Sequence, residues 1–142
     1  SVPLLDKVQT IEAEIAEYDP DTVWKHHHGD LKVDHEVSCQ AMITVTRPLV
    51  KSDIKRVLAF ETLSASEWSV PSPDNAFQPT SFVDVSDYLD IKADALSVYQ
   101  RELRDPPHPR TVETVQKNAE VWGSKAGVSA AEPFEVLREV RR

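Results

Sequence analysis

A single cysteine, Cys39, stands among the 142 residues, which rules out an intrachain disulfide and fits a reducing compartment. No stretch approaches the roughly 18 consecutive apolar residues of a membrane span. No charged-then-apolar leader opens the chain, so the expectation is a soluble protein of the cytoplasm without a membrane partner. Basic charge is scarce too: Lys and Arg number 16 against 24 Asp and Glu, for a formal net charge of −8. That balance leaves no basic footprint for nucleic acid or anionic lipid. Internal repeats and low-complexity tracts are absent. An initiator methionine is missing as well, since the chain starts at Ser1 and Met42 is its only methionine. The expectation is therefore a piece of something longer. Its length suits one domain over residues 1–142, able to bury about 70% of its unfolded surface.

Histidine and carboxylate, by contrast, are concentrated. His26-His27-His28-Gly29-Asp30-Leu31-Lys32-Val33-Asp34-His35 holds four of the five histidines. This run follows a short apolar segment and leads into a helical pattern, a common way to present ligands to a divalent ion. Neutral imidazole and carboxylate are donors that zinc accepts, and a catalytic zinc needs three of them plus an open position.

Around this run the periodicity alternates between helix and strand. Leu4, Val8, Ile11 and Ile15 behind Pro3 predict a helix over 3–17, ended by Asp19-Pro20-Asp21. Thr22 to Lys25 reads as a buried parallel strand. Asp34 is the expected N-cap of a helix carrying Val37, Ala41 and Val45, stopped by Pro48. Residues 55–61 read as a strand, 62–80 as a long aperiodic loop, and 81–85 as a strand. Ser86 or Asp87 is expected to cap a helix to about Leu103, with Tyr88, Ile91, Ala95 and Val98 as its apolar stripe. A proline-pinned loop over 104–110 follows. Thr111 caps a helix with Val115, Ala119 and Trp122, stopped by Gly123, and 134–140 reads as a final edge strand. The alternation implies an α/β sandwich on a mostly parallel sheet.

The His-rich run, followed by Thr46-Arg47-Pro48, Phe60-Glu61, Ser64, Ser66 and Glu67-Trp68, resembles the LmbE/PIG-L family of zinc-dependent N-deacetylases. Downstream, Phe77-Gln78-Pro79, Phe82-Val83-Asp84, His108-Pro109-Arg110, Gly123 and Ala131-Glu132-Pro133-Phe134 extend the likeness over nearly the whole chain. The resemblance implies a Rossmann-like three-layer fold with its site at the carboxyl ends of the strands. It also implies hydrolysis of an acetamide on an N-acetylglucosamine-type sugar or conjugate. In that family zinc is held by a histidine and an aspartate of an Ala-His-Pro-Asp-Asp motif and by the histidine of a later Asp-His pair, a position that His35 matches. This sequence contains no His-Pro-Asp-Asp motif. The expectation is an incomplete fold, the C-terminal portion of a deacetylase, inactive or weak by itself.

By the same resemblance His35 is the metal ligand, and Asp34 and Lys32 are the nearby catalytic candidates. Against this, Asp34 could simply cap its helix, and Lys32 could be a solvated loop lysine. Asp30 is expected to fix the loop through backbone N–H groups, with substrate contact as its second role. Residues leaving a strand point alternately, so at most two of His26, His27 and His28 face one side; His27 is a pocket-lining candidate, and the resemblance makes His28 incidental, because relatives commonly carry proline there. Arg47 suits a helix C-terminus and secondarily the substrate. Glu67 beside Trp68 suits sugar binding, while His108 and Arg110, held between prolines, suit sugar or phosphate oxygens. Cys39 reads as a small buried residue. Two rival functions remain open at this point: a non-catalytic sugar-binding remnant, and a metallo-hydrolase of another amide or ester. Self-association is left open as well.

Overall fold

The computed structural model describes residues 3–48 and 53–141. They fall into two compact units, Ser1–Gln78 with Glu135–Arg142, and Pro79–Phe134.

In the first unit, helix α1 (Leu4–Tyr18) follows Pro3 as its N-cap residue, carries Asp6 in its first turn and ends where Asp19 turns left-handed at φ 44°. An acid suits the positive N-terminal end of a helix. Val8 and the partly buried Ile11 and Ile15 pack on Ala41 and Val45 of helix α2 (Val33–Val45). Strand β1 (Thr22–His26) pairs in parallel with β2 (Arg56–Phe60), from Thr22 opposite Arg56 to His26 opposite Phe60. A parallel pair needs a crossover, and α2 is that crossover. Val23, Ile54 and Val57 join Met42 and Ile15 in a second apolar cluster that fastens α2 and α1 over the pair.

In the second unit, strand β3 (Ser81–Asp84) runs antiparallel to the start of β4 (Ala131–Glu139), Ser81 opposite Phe134 and Asp84 opposite Ala131. Between them lie α3 (Leu89–Val98) and α4 (Val112–Ala126). One helix between two strands brings the chain back to run parallel. A second helix reverses it once more, so β4 opposes β3. The strand order is β1-β2-β4-β3 in an open, mixed sheet.

The α/β class stands, in a mixed sheet where β1–β2 pair in parallel and β3–β4 antiparallel. Several boundaries are corrected. The 134–140 segment is no edge strand, because β4 begins at Ala131 and lies between β2 and β3. The strand expected to be buried throughout is β1, the first in the order, and its Trp24 is 54% exposed. Asp34 is not an N-cap, because α2 starts one residue earlier behind Lys32 and lacks a side-chain cap.

Helix α3 is shorter than the expected span to Leu103, and neither Ser86 nor Asp87 caps it. Its expected stripe of Tyr88, Ile91, Ala95 and Val98 is exposed, while Ala93 is the buried residue. Helix α4 is capped as expected, the Thr111 hydroxyl accepting from the Thr114 amide at 3.0 Å. It does not stop at Gly123. That glycine is buried inside the helix, and the left-handed Gly127 (φ 81°) ends it.

Candidate metal centre

His35 sits in the first turn of α2 and is buried. Its Nδ1 lies 2.9 Å from Asp30 Oδ2. An ionised carboxylate only accepts, so the ring proton stands on Nδ1 and the Nε2 lone pair is left for a ligand. A carboxylate that holds one imidazole nitrogen and frees the other is the usual outer support of a histidine bound to a metal. The second Asp30 oxygen accepts from the Ser66 hydroxyl. Ser66 Oγ in turn accepts from the Thr62 amide at 2.8 Å. The Leu31 amide donates to the Ala65 carbonyl at 3.0 Å, which pins the 62–67 turn against the loop carrying Asp30. The start of the aperiodic stretch, residues 62–67, is thus an ordered support for His35.

His26 stacks on His35, ring centroids 4.0 Å apart with 26° between planes, and Phe60 tilts against it at 4.9 Å. Burial, followed by the nearby His35 and Lys25, holds the His26 imidazole below its ordinary pKa; Asp30 and Asp34 pull the other way without prevailing. His26 is therefore neutral at neutral pH. Beneath it Lys25 is buried, its Nζ donating to the His26 carbonyl at 3.0 Å and lying 3.0 Å from Cys39 Sγ. Cys39 is buried as read, but as the partner of a lysine.

His27 turns the other way along the strand, as alternation requires. It is fully buried, with Nδ1 2.9 Å from Glu135 Oε2 and Nε2 2.7 Å from the Asn75 carbonyl. Both neighbours are acceptors, an arrangement that favours a proton on each ring nitrogen. Burial alone would lower its pKa. The Glu135 hydrogen bond, the Asn75 carbonyl and the Glu135 charge outweigh burial and raise it. Burial likewise pushes the Glu135 carboxyl up, but His27 and the Gln78 amide hold it below the ordinary range. Among the described residues one trio, His27, His28 and Glu135, has potential ligand atoms within 4.8 Å of one another.

The other candidates fall in several places. Lys32 contributes its carbonyl, which accepts from the amides of His35 and Glu36, both at 3.1 Å. Asp34 is exposed beside His35 in the same turn. Asp30 does not fix its loop through backbone amides; its side chain bonds His35 and Ser66 instead. His27 is enclosed. Glu67 accepts from the Ser64 amide, whose residue is left-handed at φ 67°. Trp68 is exposed. Arg47 lies at the far end of α2 from His35 and donates to the Thr44 carbonyl, the helix-terminal role. His108 and Arg110 belong to the second unit. There the Arg110 amide donates to His108 Nδ1 at 3.0 Å and the guanidinium pairs with Glu102 at 3.0 Å. Asp30 as the support of His35, and Glu135 as the partner of His27, were missed. The first lay within the same ten-residue run. The second is 108 residues away, with no local signal.

No protein-family model and no curated protein sequence matches the chain. Solved structures do. N,N'-diacetylchitobiose deacetylase from Pyrococcus horikoshii superposes with a TM-score of 0.67 at 16% identity, over 97% of this chain and 54% of that one. The pseudoaglycone deacetylase Dbv21 gives 0.66 at 19% identity, over 98% of this chain and 60% of that one. The chain thus has the fold of these deacetylases. GalB, the 4-carboxy-2-hydroxymuconate hydratase from Pseudomonas putida, matches equally well, with a TM-score of 0.66 at 18% identity over 96% and 60%. This fold therefore serves more than one reaction, and the site must decide which. The chain spans between 54% and 60% of the length of these proteins.

Proposed function

We propose that this chain is part of a zinc-dependent N-deacetylase acting on an N-acetylglucosamine-type sugar or conjugate, with His35 as one ligand of the metal. The carrying observation is the 2.9 Å contact of His35 Nδ1 with buried Asp30, which frees Nε2. The donor chemistry fits zinc, a borderline ion that takes neutral imidazole. When bound, zinc supplies Lewis acidity and a water of lowered pKa.

The chain's own residues supply the rest. Asp30 fixes the His35 tautomer and ring angle, and Ser66 fixes Asp30. His26, held neutral and stacked on His35, places no positive charge against the ion. Asp34 and Lys32, at the same helix start, are the candidates for moving a proton, with the Lys32 ammonium also able to face developing negative charge. Glu67 is a candidate for sugar hydroxyls in the first unit; His108 and Arg110, in the second, are separate candidates for sugar or phosphate oxygens. Within residues 1–142 His35 is the one ligand this reading supplies, and the others are proposed to come from a His-Pro-Asp-Asp segment outside them. Deacetylation by the 142-residue chain alone is then expected at background.

His35→Ala in a protein carrying both segments tests the reading. Tightly bound zinc and release of acetate from an N-acetylated amino sugar should be lost together. Retention of both would refute the assignment. A panel of other amides and esters separates the sugar deacetylase from a metallo-hydrolase of different range.

A further inference from the structure

We propose that His27, His28 and Glu135 form a second cation site, separate from His35, that takes zinc or a similarly borderline divalent ion. The argument begins with the outer contacts of the three side chains. His27 Nε2 lies 2.7 Å from the Asn75 carbonyl, and His28 Nε2 lies 2.6 Å from the carbonyl of the preceding residue, Asp74. Carbonyls only accept, so both rings carry a proton on Nε2, and the neutral tautomer of each leaves Nδ1 bare. Glu135 Oε1 accepts from the Gln78 amide at 2.8 Å, which leaves Oε2. All three side chains are therefore anchored on their outer atoms by one short segment, 74–78. Such backbone support orients histidine and carboxylate ligands in metal sites.

Inner geometry agrees. His27 Nδ1 and Glu135 Oε2 are 2.9 Å apart. Two ligand atoms about 2.0–2.1 Å from one ion stand roughly 2.9–3.4 Å apart at octahedral to tetrahedral angles. In the metal-free chain a proton occupies that gap, and an ion that displaces it needs little rearrangement. The rings of His27 and His28 are 4.5 Å apart at 58°, so they converge without stacking flat. Gly29 leaves room for this arrangement, since a Cβ there would come within 2.7 Å of His27 Nε2. Access is open as well: His27 is enclosed, but His28 is exposed and Glu135 partly so. Two neutral imidazoles and one carboxylate are the donor set of several zinc sites, and water would complete the shell.

The test is a chelator-competition titration of the full 142-residue chain with zinc in a His35→Ala background. That background removes the ligand of the proposed catalytic metal, so failure here says nothing against the deacetylase reading. One equivalent should bind. His28→Ala and Glu135→Gln, each added to His35→Ala, should each weaken it tenfold or more. Zinc should also raise the melting temperature of His35→Ala but not of the His28→Ala double variant. His28 is exposed, so its variant reports on ligation without threatening the fold. No binding to His35→Ala, or unchanged affinity in either double variant, overturns the proposal.

Discussion

At the scale of single residues, the chemistry depends on which carboxylate faces which imidazole. Asp30, not Asp34, turns to His35, because the five-residue step from loop to first helical turn folds Asp30 back under the ring. Asp34, its sequence neighbour, points elsewhere on the helix. Asp30→Asn should then cost roughly 10- to 100-fold in zinc affinity or hydrolysis by the longer protein. Retained affinity in that variant would show that Asp30 is dispensable for orientation.

The His27–Glu135 pair makes a different prediction. His27 is raised above its ordinary 6.5, so its stabilisation is complete below that value and fades as pH climbs through the folded-state value. Glu135 is lowered from 4.5, so its contribution is complete above 4.5 and fades as pH falls through the depressed value. In chelator-treated protein, the urea-unfolding gap between wild type and Glu135→Gln should be widest between about 4.5 and 6.5, and should narrow on both sides. A gap that is flat from pH 4 to 9 would contradict the pairing.

At the scale of elements, the amphipathic α1, the Thr111 cap and the parallel β1–β2 pair were legible because local pattern and tertiary need coincide there. Helix α3 shows the opposite case. Its sequence stripe of Tyr88, Ile91, Ala95 and Val98 is exposed, while the face that packs in the second unit carries small Ala93 with partly buried Leu89 and Leu96. Periodicity locates an apolar stripe, but the neighbouring elements decide which face is covered. Gly123 misleads for a related reason. It is a packing glycine, not a stop, since a Cβ would lie 2.7 Å from the backbone of Ala130 and from the Val128 carbonyl. Gly123→Ala should therefore destabilise by about 1–3 kcal/mol in urea unfolding. Thr111→Ala should cost about 1 kcal/mol through the lost cap. A neutral Gly123→Ala would mean that the 127–130 turn yields easily.

At the scale of the whole molecule, the fold is shared with deacetylases and a hydratase at 16–19% identity. At that distance an α/β scaffold survives while side chains diverge, and function must be read from the site. The His-rich run was legible as a concentration of imidazole and carboxylate. Its division into His26 with His35 and His27 with Glu135 was not, because the partners are set by strand alternation and by a residue more than a hundred positions away.

The most direct measurement is anomalous diffraction at the zinc absorption edge from zinc-loaded crystals of a protein containing these residues and the His-Pro-Asp-Asp segment. A peak about 2.0–2.1 Å from His35 Nε2, with Asp30 still on Nδ1, is the predicted result. A His35 ring with no peak beside that nitrogen would contradict the account.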